Sequence, residues 1–216
     1  MNVLFVSPAF PPPFVLFCEA LESAGARVLG LGDVPSGALG PRLSRALADY
    51  ACVDLDDDDG VVRAVAGLVA RHGRIHHVDS LNEHWLPLEA RIRLDFNVPG
   101  VRPDETTAFT SKTIMGERFL DAGLAPPISR RVETAEEIRA FARERGFPIL
   151  VKPDVGVGAE GVHDAADEAG LEVLLAAATT AGAVVQEYVR GKLVTFDGLT
   201  DREGRVVFAA SATYAA

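Results

Sequence analysis

The spacing of apolar residues along the first hundred positions changes period repeatedly, and each change predicts an element. Asn2 to Ser7 reads as a buried strand, Phe14 to Ala24 repeats at helical spacing and stops at Gly25, and Arg27 to Leu31 returns to a strand. Pro41 to Asp49 reads as a short helix, Ala51 to Val53 as a strand, Val61 to His72 as a helix closed by Gly73, and Ile75 to Asp79 as another strand. This alternation implies a parallel sheet with helices on both faces, whose ligands lie beyond the strand carboxyl ends. Those ends carry Ser7, Asp33, Asp54 and Ser80. A further helix from Asn82 ends by Asn97, and Val98-Pro99-Gly100 marks a boundary.

The pattern then changes character. Pro103 to Ala122 reads as one helix, with Asp104 and Glu105 in its first turn, Lys112 along its length and Gly123 as its stop. A strand near Ile128 to Val132 follows Pro126-Pro127, and the capping box Thr134-Ala135-Glu136-Glu137 opens a helix. Beyond it, Ile149-Leu150-Val151 fits a buried strand, Leu171 to Ala178 a helix and Ala183 to Glu187 a strand. Two last strands, Leu193 to Leu199 and Arg205 to Ala212, turn at Asp201 to Gly204 and leave apolar edges exposed.

The stretch FPILVKPDVGVGAEG, Phe147 to Gly161, concentrates the chemistry. A lysine at the mouth of a buried strand, followed by a loop whose backbone can approach a ligand closely, suits a polyphosphate. The plainer reading of Lys152 and the glycines is a solvated strand end and a turn. Gly156, Gly158 and Gly161 spell G-x-G-x-x-G. A dinucleotide fingerprint requires the third glycine to open a helix, whereas Val162-His163 continues extended and the next helical pattern starts near Asp167. A kinase loop places its lysine after the glycines, and no G-x-x-x-x-G-K-[ST] string occurs. What remains is a strand, a lysine, a glycine loop and a strand, the order of a flap over phosphates.

Composition narrows the partners. The chain has 216 residues, 48% of them hydrophobic, with a formal net charge of -10 and only three lysines, Lys112, Lys152 and Lys192. Without a basic cluster such a chain repels a nucleic-acid duplex. No apolar run reaches the roughly 18 residues of a membrane span, and the start MNVLFVSPAF lacks the basic region of a signal peptide, so a cytoplasmic protein is expected. Cys18 and Cys52 read as buried free thiols. The acids Asp56 to Asp59 read as a solvated helix start rather than a cation site. His72, His76, His77 and His84 lack the geometry of a zinc cluster. Ser80-Leu81-Asn82-Glu83 is the best polar group of this half, Asn82 being equally well explained as a helix cap.

Taken in order, Thr110-Ser111-Lys112 with Ala122-Gly123-Leu124-Ala125-Pro126, then Phe147 to Pro153 with the glycine loop, then VVQEYVRG with Asp197-Gly198, resemble the ATP-grasp superfamily. The resemblance implies an α/β fold. An N-terminal parallel βαβ domain, Rossmann-like and of the kind that precedes ATP-grasp folds, spans 1–100. An α+β ATP-grasp subdomain, the nucleotide lid with its linker helix, spans 101–190, and a second subdomain is only begun in 191–216. It implies a ligase dependent on ATP and Mg²⁺ that joins a small-molecule carboxylate to an amine, or less often a thiol, through an acylphosphate, with no nucleic-acid or membrane partner and with a homodimer left open. By position, Lys112 and Lys152 resemble the two phosphate-contacting lysines and Gly156, Gly158 and Gly161 the flap. Gln186, Glu187, Tyr188 and Val189 resemble the hinge that receives adenine. Leu193 stands where the family commonly places a ribose-binding glutamate, and Ala216 precedes the segment that carries the family's Glu and Asn metal ligands, so metal and catalytic residues are not assigned. The expectation is the ATP-binding part of such a ligase, or alternatively a non-catalytic nucleotide-binding or partner-binding module of the same fold.

Overall fold

The computed structural model describes residues 1–156, 161–201 and 203–214. Its contacts divide the chain into two compact units, Met1–Leu124 with Asp154–Glu160, and Ala125–Pro153 with Gly161–Ala216.

The first unit is built on a parallel sheet. Its elements run β1 (Asn2–Val6), α1 (Val15–Ser23), β2 (Arg27–Gly32), α2 (Pro41–Ala46), β3 (Asp49–Cys52), α3 (Asp58–His72), β4 (His77–Asp79) and α4 (Leu86–Asp95). The strand order is β3-β2-β1-β4, with Leu4 opposite Leu29 on one side and Val78 on the other. Alternate residues of β1 and β2 serve opposite cores. Leu4, Val6, Leu29 and Leu31 pack with Val61, Val65 and Leu68 of α3, while Phe5 and Val28 pack with Cys18 of α1 and Leu43 of α2. Each such side chain taken fully from water contributes about 1.5–3 kcal/mol, so both faces of the sheet are anchored.

Boundaries depart from the sequence reading where a distant partner intervenes. The second helix ends at Ala46 rather than Asp49, because Ala48 donates its N–H to Val28 O at 2.8 Å and Asp49 has already joined the sheet opposite Leu29. The helix expected over Pro103 to Ala122 is interrupted at Ser111 (φ -83°, ψ 119°), leaving α5 (Thr107–Thr110) and α6 (Lys112–Asp121). Cys52 is exposed, against the expectation of two buried thiols, since it ends a strand on the sheet edge. Cys18 is buried, and burial pushes its thiol up to about 11. Brief iodoacetamide treatment at pH 8 is therefore expected to alkylate Cys52 and spare Cys18 until denaturant is added, as read by peptide mass spectrometry; equal labelling of the two would contradict this packing.

An ion pair lies inside the first unit. Arg93 donates to Glu89 Oε2 at 2.6 Å and to Val78 O at 2.7 Å, and both residues are buried on α4. Gly100, at φ +129°, passes so close that a Cβ there would stand 2.9 Å from Arg93 Cδ, which accounts for the glycine in Val98-Pro99-Gly100.

The second unit is antiparallel. It contains β5 (Ser129–Val132), α7 (Ala135–Arg145), β6 (Ile149–Pro153), β7 (His163–Ala165), α8 (Glu168–Ala177) and β8 (Ala183–Glu187), with sheet order β5-β8-β6-β7. Thr134 and Glu137 form the expected capping box of α7. Ile149, Val151 and Val185 face Ile138, Phe141, Leu171 and Leu174 of the two helices. Period-2 alternation then turns Leu150 and Lys152 of β6 to the opposite face. Among the described residues the last strands, β9 (Val194–Thr200) and β10 (Val206–Thr213), pair only with each other, and Phe196, Leu199, Val207 and Phe208 are exposed.

Candidate functional site

Strand β6 sets the position of Lys152 and strand β8 sets its neighbour. Lys152 is in register with Val184, which makes Gln186 its diagonal neighbour on the same face, and the ammonium donates to Gln186 Oε1 at 2.6 Å. Gly161 re-enters the second unit at φ +68°, a conformation that L side chains rarely adopt, and a Cβ there would also meet Pro153 Cγ at 3.0 Å. A side chain at this position would strain the backbone just where the loop rejoins the sheet.

The expected hinge is partly engaged within the protein itself. Glu187 exchanges two bonds with Ile128: its N–H donates to Ile128 O at 3.0 Å, and its Oε1 accepts the Ile128 N–H at 2.8 Å. Tyr188 donates its N–H to Pro148 O at 3.2 Å. The side chains of Tyr188 and Val189 are exposed. Gln186 and Glu187 are thus oriented by Lys152 and Ile128, which fixes the end of β8 before any ligand arrives.

Lys112 stands in the first unit, as the first residue of α6. Its ammonium donates to Gly156 O at 3.0 Å and Asp154 O at 3.3 Å, so it lies across the backbone that opens the glycine loop. Gly156 has φ +154°. Gly158 lies outside the described residues. The structure thus brings Lys112 to Gly156 in one unit and Lys152 to Gln186 in the other.

Asp154 lies within the Phe147 to Gly161 stretch, but the sequence reading gives it no role. The residue is 9% exposed, and its carboxylate accepts from the Ser111 hydroxyl at 2.7 Å and from the Thr113 N–H and hydroxyl at 2.8 Å each. Its partners lie 41 and 43 positions away in the sequence, beyond the reach of any local pattern.

The strand ends of the first unit carry strained backbone. Ser7 and Leu81 adopt φ +53° and +55° as the chain leaves β1 and β4, the two adjacent strands at which the connection order reverses. Asn82 caps the turn beyond, accepting the His84 N–H at 3.0 Å, as its alternative reading had it. Asp57 likewise caps α3 through the Gly60 N–H, and Asp58 and Asp59 occupy its first turn. Two of the histidines hold structural contacts: His72 Nε2 lies 2.7 Å from Asp49 Oδ2, and His76 Nδ1 accepts the Asn2 N–H at 3.0 Å. Among the described residues no helix is long and apolar enough to cross a membrane.

Residues 110–211 match the model of the carbamoyl-phosphate synthase L chain ATP-binding domain. An uncharacterized protein of Sinorhizobium fredii, y4rH, is 30% identical over 125 residues, 55% of this chain and 26% of that protein. Among solved structures, an L-amino acid ligase from Bacillus licheniformis superposes with TM-score 0.72 at 20% identity, over 96% of this chain and 49% of that one. An N5-carboxyaminoimidazole synthetase from Staphylococcus aureus, complexed with ADP, gives TM-score 0.72 at 14% identity, over 95% of this chain and 51% of that one. The chain therefore spans about a quarter of the first curated relative and about half of these structures.

Proposed function

We propose that the chain is an ATP-grasp protein, the ATP-binding part of a ligase that activates a carboxylate as an acylphosphate for attack by an amine or thiol, a reading supported by the match of residues 110–211 to a carbamoyl-phosphate synthase ATP-binding domain. The observation that carries the reading is the pairing of Lys152 with Gln186 on one sheet face, at the end of the strand that feeds the glycine loop. Lys112 and Lys152 meet the phosphates, Gly156, Gly158 and Gly161 let the backbone approach them, and Gln186 to Val189 receive adenine. Bonds from Glu187 to Ile128 and from Tyr188 to Pro148 would help to preorganise the hinge. Two fixed ammonium groups would stabilise charge that builds as a carboxylate attacks the γ-phosphate, a mainly electrostatic and positional form of catalysis. Among the described residues no three His, Cys, Asp or Glu side chains converge. Magnesium bound with the nucleotide would supply further charge neutralisation at its phosphates.

Two measurements test the reading. A hundredfold excess of ATP over its dissociation constant stabilises by about 2.7 kcal/mol, which thermal denaturation resolves. Incubation of a protein that also carries the metal-binding segment this reading requires with ATP, magnesium, hydroxylamine and a panel of carboxylates should yield a hydroxamate, because hydroxylamine displaces phosphate from an acylphosphate. Binding without hydroxamate for any carboxylate would point to a nucleotide-binding module instead, and no stabilisation by ATP would sink both.

Leu193, which is exposed, gives a sharper expectation. A glutamate there would accept from the ribose hydroxyls, a charge-assisted bond contributing roughly 1.5–3 kcal/mol, and leucine offers none. ATP and 2′-deoxy-ATP are expected to bind within about threefold of each other, under ~0.7 kcal/mol, and Leu193→Glu to introduce a preference for ATP. A wild-type preference above tenfold would show that the ribose is read elsewhere.

A further inference from the structure

The first three N–H groups of α6 all end on protein oxygens: Lys112 on Asp154 O at 3.0 Å, Thr113 on Asp154 Oδ1 at 2.8 Å and Ile114 on Ser111 Oγ at 3.2 Å. A helix N-terminus normally offers such groups, with their partial positive charge, to an anion. Here the anion is Asp154. The helix start is therefore closed to a phosphate, and the side chain of Lys112 is the means by which α6 can reach one. That side chain in turn spans the carbonyls of Asp154 and Gly156, so the same helix start holds the loop's departing backbone at two points.

We propose that Asp154 is a positioning residue of the nucleotide site, a latch whose carboxylate fixes the start of α6 and, through Lys112, presets the backbone from which the glycine loop departs. The proposal rests on the ATP-binding reading above. A buried carboxylate is costly unless its oxygens are satisfied, and here Ser111 and Thr113 supply three donors. The effect of Asp154 on nucleotide is thus exerted through Lys112 and the backbone, not by contact. Its negative charge alone would oppose a polyphosphate, so the sign of a mutational effect separates the two roles.

The test titrates ATP against the full chain carrying Asp154→Ala or Asp154→Asn, well below each melting temperature, with amide exchange at Thr113 followed in parallel. Alanine is expected to raise the ATP dissociation constant tenfold or more and to speed exchange at Thr113. Asparagine still accepts the Thr113 N–H, and is expected to stay within threefold of wild type. Should the alanine variant fail to fold, Ser111→Ala removes one carboxylate partner and is expected to weaken ATP three- to fivefold. A lower melting temperature with unchanged ATP affinity would reduce Asp154 to a helix cap and overturn the proposal, as would tighter ATP binding in both variants. Wild-type protein that binds no ATP would overturn the nucleotide reading itself, and slow Thr113 exchange in the alanine variant would overturn the latch irrespective of nucleotide.

Discussion

Lys152→Ala protein is expected to lose at least a hundredfold in ATP affinity, about 2.7 kcal/mol. At an effective dielectric near 20, an ammonium about 4 Å from a phosphate charge interacts by roughly 4 kcal/mol. The net loss is set lower because the ammonium exchanges its bond to Gln186 Oε1, 2.6 Å long, for one to phosphate. The fold should survive, since Lys152 lies on the sheet face opposite the buried residues Ile149 and Val151. Lys192→Ala is the control: this lysine is exposed and outside the motifs, and its removal should leave affinity within threefold. Isothermal titration of the three proteins decides the matter. A Lys152→Ala protein that kept wild-type affinity would remove the β6 lysine from the site.

The second large effect concerns stability. Arg93→Met is expected to destabilise the protein by about 3–5 kcal/mol, because it leaves the Glu89 carboxylate buried without its cation. Burial already pushes the Glu89 carboxyl above its ordinary 4.5, against the lowering influence of Ser80 and Arg93. Removing the arginine raises it further. The sign follows: a carboxyl whose folded value exceeds its unfolded one favours folding in acid, and that advantage is lost as pH rises through the folded value. The deficit of Arg93→Met is therefore smallest near pH 4.5 and widens toward neutral pH, as urea denaturation at several pH values would show. Replacing both partners, Glu89→Leu with Arg93→Met, should recover most of the loss, since well-packed apolar pairs often match a buried ion pair. A single-variant loss under about 1 kcal/mol at pH 7 would contradict this account.

How much of this was legible in the sequence depends on the range of the interaction. Periods of 2 and 3.6 place β1, β2, α3, β8 and the Thr134 capping box without reference to anything distant. Ser111 escapes such reading, because the apolar spacing from Pro103 to Ala122 runs through it; what bends the chain there is a carboxylate 43 positions downstream. Cys52 looks like a core residue along the sequence and is exposed because β3 lies on the sheet edge, a property of strand order. At the site, the types and order of Lys112, Lys152 and Gln186 carry the resemblance. Cross-strand register brings Lys152 to Gln186, and the same holds for the engagement of Glu187 by Ile128, 59 positions away.

The division into units has a consequence for synthesis on the ribosome. Domains generally form as units from the N-terminus as the chain emerges. Here the N-terminal unit includes Asp154 and Gly156, which emerge only after β5, α7 and β6 have been made. Its parallel sheet can close as soon as β4 appears, but α6 must wait 41 residues for the carboxylate that receives the Thr113 N–H. The N-terminal unit is thus completed from within the second one, and a nascent chain halted at Leu124 would carry its sheet but an unfinished helix start.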